Sequence, residues 1–322
     1  MTLERRHLAT ETGNRAFRIL EENLIFVSLL AIVAFFGVIS ESFLSLTTLS
    51  TLFNQLPALT VVSIGMTLVL ISGGIDLSVG SVVALSAGVI GVGISLFGLP
   101  LPLAACLGIL AGALAGLANG GLGAYLRLPI FIVTLGMLEV ARGLAYLVTD
   151  SQTVYIGAKI QAFAIPWGGS GVSASILVAL TLVVAFEFLL RSTIFGRQIV
   201  AVGSNESAAE TSGIDPRRIR CTVLVISGLL AGLGGLMNAA YLGSADPNAG
   251  IGLELSAIAA AVIGGTSLMG GRGSVIGAFV GVLIVSVLQI GLAQIGITEP
   301  TKRVITGAVI ILAVILDRWR AP

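Results

Sequence analysis

RSTIFGRQIVAVGSNESAAETSGIDPRRIR, residues 191–220, is the one long polar island between apolar runs, and it sets the orientation of everything around it. Five arginines, at 191, 197, 217, 218 and 220, mark it as a loop held on the cytoplasmic side, because short Arg-rich loops resist translocation during membrane insertion. Within it Asn205 is placed to cap a short helix, Glu206 and Glu210 lie toward its positive dipole end, and Gly213 supplies a left-handed stop. Asp215 and Pro216 then start a second helix as N-cap and first helical residue, and that helix runs into the apolar stretch from Cys221. A small surface helix is thereby joined stiffly to a membrane span, which is the geometry of a lever facing a soluble partner.

The flanking chain is 56% hydrophobic and 10% charged, with a mean hydropathy of +1.06. Apolar runs of about 20 residues recur from end to end, so the expected class is an all-α, polytopic helical bundle with no soluble domain. About ten spans are expected, at roughly 23–40, 52–72, 79–97, 103–124, 129–148, 172–190, 221–242, 254–270, 274–297 and 303–318. This divides the chain into a polar N-terminal tail, 1–22, and a membrane domain, 23–320, carrying the cytoplasmic loop 191–220. With both termini cytoplasmic, thirteen arginines fall inside and only Lys159, Lys302 and Arg303 outside. Glycine, at 42 of 322 residues, permits close helix approach and broken helices around a pathway.

Two stretches interrupt the apolar pattern with glycine and polar residues: SGGIDLSVGS at 72–81 and GGTSLMGGRGS at 264–274. Both are expected on the cytoplasmic side, and paired interruptions in two halves of a chain point to duplicated transporter architecture. Gly74, Asp76, Ser78, Gly80, Gly270 and Gly271 are therefore candidates for a gate or a structural turn. For Asp76 the two readings are a helix cap before Val79, with Ser78 as the other cap candidate, or direct contact with solute, gate or partner. Glu139 and Arg142 are spaced to neutralise each other on one helical face, and Glu187 with Arg191 is read as interfacial anchoring. Asn54, Gln55, Asn119, Asn238, Gln289 and Gln294 either bond between helices or line a hydrated path for an uncharged polyhydroxy solute. The main external loop, about 149–171, is long enough to receive an external partner.

Absences narrow the function. Neither lysine sits in a phosphate-wrapping G-x-x-x-x-G-K-[ST] frame, so any ATP must be hydrolysed by another chain. The single histidine, His7, lies in the polar tail, leaving an intramembrane Ser-His or His-metal enzyme without a partner residue. Cys106 and Cys221 fall in apolar runs without CxxC spacing and read as small buried hydrophobes. A net charge of +1 with dispersed basic residues carries no nucleic-acid footprint. A lone ion-coupled carrier is the main rival to a partner-driven permease, and the shortage of intramembrane carboxylates speaks against it.

NESAAETSGI at 205–214 resembles the ATPase-coupling loop of ABC importer permeases, with the Ala-Ala-x-x-x-Gly part intact at Ala208, Ala209 and Gly213, and Ser207 inserted after Glu206. GMTLVLISGGIDLSVGS at 65–81, FGRQIVAVGSNE at 195–206 and LELSAIAAAVIGGTSLMGGRGS at 253–274 are similar to ribose, xylose and arabinose type permeases. The resemblance implies a type II importer fold in the bacterial inner membrane, paired with a second permease copy or a paralogue and surrounded by lipid. It also implies a cytoplasmic ABC ATPase that carries the ATP and Mg, a periplasmic sugar-binding protein, and no cofactor on this chain. Asn205, Glu206, Ala208, Ala209, Gly213, Asp215 and Pro216 would then be the coupling residues.

Overall fold

A computed structural model describes residues 25–167 and 172–320. The polar tail, with His7, lies outside the described residues. Among the described residues, six helices are long and apolar enough to cross a membrane, and apolar helices at Ile25–Ile39, Val79–Ser95 and Leu253–Ile263 are shorter. In chain order the helices are α1 (Ile25–Ile39), α2 (Leu46–Ile71), α3 (Val79–Ser95), α4 (Leu101–Gly120), α5 (Ile130–Val148), α6 (Ala158–Gln161), α7 (Ala174–Ser192), α8 (Ile194–Ser204), α9 (Glu206–Thr211), α10 (Pro216–Leu242), α11 (Leu253–Ile263), α12 (Val275–Gln294) and α13 (Glu299–Arg320). A π-helical turn, Gly121–Tyr125, extends α4. The two-residue strands β1 (Val154–Tyr155) and β2 (Ser244–Ala245) pair antiparallel.

α2 and α10 form the centre. From Leu59 to Ile71 every residue of α2 is buried, the mark of a helix surrounded by protein. α10 starts on Asp215 and Pro216 and stops at Gly243, whose φ of +68° suits glycine. Its 27 residues reach about 40 Å and link the α9 face of the molecule to the face carrying the β1–β2 ribbon. Against it lies α4, where Gly108, Gly112, Gly116 and Gly120 recur every four residues on one face. A Cβ at Gly112 or Gly116 would collide with the main-chain oxygens of Gly228 or Leu224, so the two backbones touch along this seam.

α3 and α11 begin inside the molecule. Ser227, near the middle of α10, donates to Asp76 just before α3, which sets the start of α3 at about half depth. A Cβ at Gly80 in α3 would strike Gly250 just before α11, so the two helix starts abut. With 11 residues α11 is only about 16 Å long, half of a hydrocarbon core. The expected span at 254–270 is thus a short helix followed by a loop, because Gly264 and Gly265 end it. The polar stretch at 72–81 also differs from expectation: Gly73 and Gly74 line a groove on the α9 face, but Asp76 to Ser81 are interior. Irregular backbone is tolerated at such depth only when enclosed by protein. Cys106 is exposed rather than buried, and Cys221 packs on Gly120.

Candidate functional site

The short helix expected from NESAAETSGI is α9. The Asn205 side chain accepts from Ala208 N at 3.0 Å, and Gly213, at φ +83°, turns the chain toward Asp215. Asp215 accepts from Arg217 N at 3.0 Å and starts α10 at Pro216. The alanine pair divides its work: Ala208 is exposed, whereas Ala209 is buried in an apolar cluster with Ile199, Val202 and Ile219. Glu206 forms an ion pair with Arg220 at 2.8 Å, and Arg220 Nε also donates to Ser72 O, tying α9 to the end of α2. A groove of about 670 Å³ runs beside α9, walled by Glu206, Glu210, Arg217, Arg220 and the Arg127–Phe131 turn.

Behind α9 three segments meet backbone to backbone. Gly271 N donates to Ile71 O at 2.8 Å, and Gly203, close to the end of α8, sits against both. Gly270 and Gly271, at φ +87° and +74°, let the 264–274 loop reach this point. The loop is anchored by Glu187, whose carboxylate accepts from Ser274 Oγ, Val275 N at 2.7 Å and Ile276 N at 3.1 Å. Glu187 therefore caps α12 across a helix interface, besides pairing with Arg191. Interfacial anchoring describes only the exposed Arg191 half of that pair.

Asp76 is held as a turn-forming group. Its carboxylate accepts from Ser78 N at 3.0 Å, Ser78 Oγ at 2.6 Å and Ser227 Oγ at 2.8 Å, while Asn119 Nδ2 donates to Ser78 Oγ. Ser78 occupies the N-cap position of α3 without a side-chain cap bond of its own. Thr134 of α5 bonds both Ile75 O and Leu77 N, so α4, α5 and α10 all grip this linker. Arg142 does not pair with Glu139 among the described residues; its guanidinium donates to Pro247 O and Ala249 O, clamping the turn before α11.

The neutral polar residues separate into three groups. Asn119 belongs to the Asp76 network. Gln55, Gln289 and Gln294 line one cavity of about 500 Å³ between the start of α2, the end of α12 and the start of α13. Asn238 and Gln289 line another, of about 430 Å³, against α11 and α13. Gln55 donates to Tyr241 OH at 3.0 Å, and Gln294 bonds Thr48 and Ser40. Asn54 lines neither cavity, and its side-chain oxygen is buried without a partner among the described residues. Both cavities share Glu299 and Lys302, paired at 2.7 Å; the sequence reading had placed Lys302 only as an external charge and had not singled out Glu299. The Lys302 ammonium holds the Glu299 carboxyl below the usual carboxylate range.

The fold, a helical bundle with broken helices, a capped surface helix and no phosphate loop, agrees with the matches to known proteins. Residues 48–314 match the family described as "Branched-chain amino acid transport system / permease component". This chain belongs to that permease family. It is 37% identical over 316 residues to the ribose import permease protein of Escherichia coli (strain K12), covering 96% of this chain and 98% of that one. It is 39% identical over 301 residues to the ribose import permease protein of Bacillus subtilis (strain 168), 92% of each. The L-arabinose ABC transporter permease protein of Azospirillum brasilense is 39% identical over 261 residues, 80% of this chain and 76% of that one. No solved structure matches. The permease is a transport subunit and not an enzyme.

Proposed function

We propose that this permease imports a neutral monosaccharide, driven by ATP hydrolysis on a separate subunit docked at α9. The single observation that carries the coupling half is the continuous path from exposed Ala208, through the Asp215 cap, into α10 and on to the Asp76 linker. A push on α9 then displaces a rigid helix that holds the starts of α3 and, through Gly80 and Gly250, of α11. Nucleotide state on the partner biases which arrangement is populated.

In this reading the α9 face and both termini are cytoplasmic, the chain crosses the bacterial inner membrane about ten times, and the ribbon face meets a periplasmic binding protein. A second permease copy packs alongside. Support for that comes from Gly136 and Gly143 on α5, seven residues apart and open to the outside, where another backbone can approach closely. The family description names branched-chain amino acids, whereas the relatives' names specify ribose, fructose and arabinose. Cavity walls rich in amides favour the sugar, because a leucine side chain would leave those groups unpaired.

The test is uptake into proteoliposomes containing the permease, its ATPase and its binding protein. ATP-dependent accumulation of labelled ribose, arabinose or fructose is the expected result. Accumulation of leucine instead, or sugar uptake driven by an ion gradient without ATPase, would overturn the reading.

A further inference from the structure

The two cavities on the ribbon side touch through a common wall made of Gln289, Glu299 and Lys302. Two amides on those walls are unspent. The Asn238 side-chain nitrogen and the Gln289 amide make no hydrogen bond to any described residue, while the Asn238 side-chain oxygen is turned away from the cavity, buried and without a partner among the described residues. An amide nitrogen donates and an amide oxygen accepts, so the Asn238 nitrogen and the Gln289 amide together offer both functions to a hydroxyl-bearing solute. The two other amides nearby are already engaged, Gln55 with Tyr241 and Gln294 with Thr48.

The charged residues point to the same class of solute. Lys302, with 20% of its side chain exposed, pairs with Glu299, so its charge is answered from within the wall. Arg303, 67% exposed, lies at the rim where water screens it. An ionic solute would find no free buried counter-charge in this wall, whereas ring hydroxyls can bond to both members of the pair.

We propose that the two cavities form a single solute vestibule, in which Asn238 and Gln289 bind sugar hydroxyls and the Glu299–Lys302 pair sets a preference for uncharged polyols. This rests on the import reading for its solute, but not for the existence of the vestibule.

The experiment has two arms. In the first, Cys106 and Cys221 are replaced by Ala, and single cysteines are placed at Gln289, Asn238 and the buried Ala260. A membrane-impermeant thiol reagent added from the ribbon side is expected to label Q289C and N238C at least about tenfold faster than A260C; equal rates at all three overturn the vestibule whatever the protein transports. In the second arm, ATP-driven ribose uptake by the complete transporter is measured, with co-purification of the ATPase as the folding control. Loss of one bond to a hydroxyl predicts about tenfold less uptake for Q289L and for N238L. K302M is expected to lose a similar factor and to regain part of it on adding E299Q, because the double change restores internal neutrality. Wild-type uptake by Q289L and N238L, or preferential uptake of the anion ribonate over ribose by the unmodified transporter, overturns the assignment of solute class. If the unmodified transporter moves no monosaccharide at all, the import reading fails and the labelling arm alone judges the vestibule.

Discussion

The two ends of the molecule are held together differently. Behind α9, the closest contacts run from main chain to main chain, Gly271 on Ile71 with Gly203 beside them and Gly120 on Cys221 of α10, while the Glu206–Arg220 pair and the groove lie on the outer side. At the ribbon end, beside α13, side-chain amides, hydroxyls and one ion pair surround open cavities. Backbone contacts have no rotamers to relax into, so they are stiffer than contacts between side chains. Side-chain walls can reorient around a solute. One end is suited to transmitting force and the other to exchanging hydrogen bonds.

The largest effect that would sharpen this contrast is steric. Gly203→Ala places a methyl against the Ile71 carbonyl and is expected to cost about 3 kcal/mol or more, seen as loss of monodisperse protein and a lowered melting temperature. Gly121→Ala, where a methyl meets open space, should leave both unchanged. Equal tolerance at the two positions would erase the distinction.

Next come the paired alanines. Ala209→Glu buries a charge and should prevent stable folding, while Ala208→Glu should leave the stability within about 0.5 kcal/mol of normal and abolish co-purification of the ATPase. Normal co-purification of the Ala208→Glu protein would sink α9 as the docking helix. Smaller again is the Glu187 cap. Glu187→Ala is expected to destabilise by about 2–3 kcal/mol, since it strips two amides and a hydroxyl of a charged acceptor, but Arg191→Ala by less than about 1 kcal/mol. Chemical denaturation in detergent checks both. The smallest effect belongs to the ribbon end: Tyr241→Phe removes one exposed bond to Gln55 and should change stability by under about 1 kcal/mol.

The capped helix α9 and the start of α10 were legible because their signals are local. Asn205, Gly213, Asp215 and Pro216 act within three or four residues of themselves, so their spacing alone predicts the caps that form. The α4 seam was also open to reading, through the repeat of glycine at 108, 112, 116 and 120. Glu187 was not. Its four-residue spacing to Arg191 suggested a surface pair, and nothing near it in the chain announces Ser274 and Val275, almost ninety residues away. The same holds for Arg142, which turns from Glu139 toward the 247–249 carbonyls. Span boundaries failed where an apolar, glycine-broken run such as 254–270 averages to the hydropathy of a crossing yet holds only an 11-residue helix.

By itself the amino-acid order determined a membrane-embedded helical bundle, a capped surface helix feeding α10, and the absence of a phosphate loop from this chain, because hydropathy and capping are properties of neighbouring residues. Only the tertiary structure decided that α3 and α11 start within the molecule, that Asp76 closes a turn, and which amides stay unpaired in a cavity. Those outcomes depend on which distant backbones can approach, and close approach is settled by packing in three dimensions.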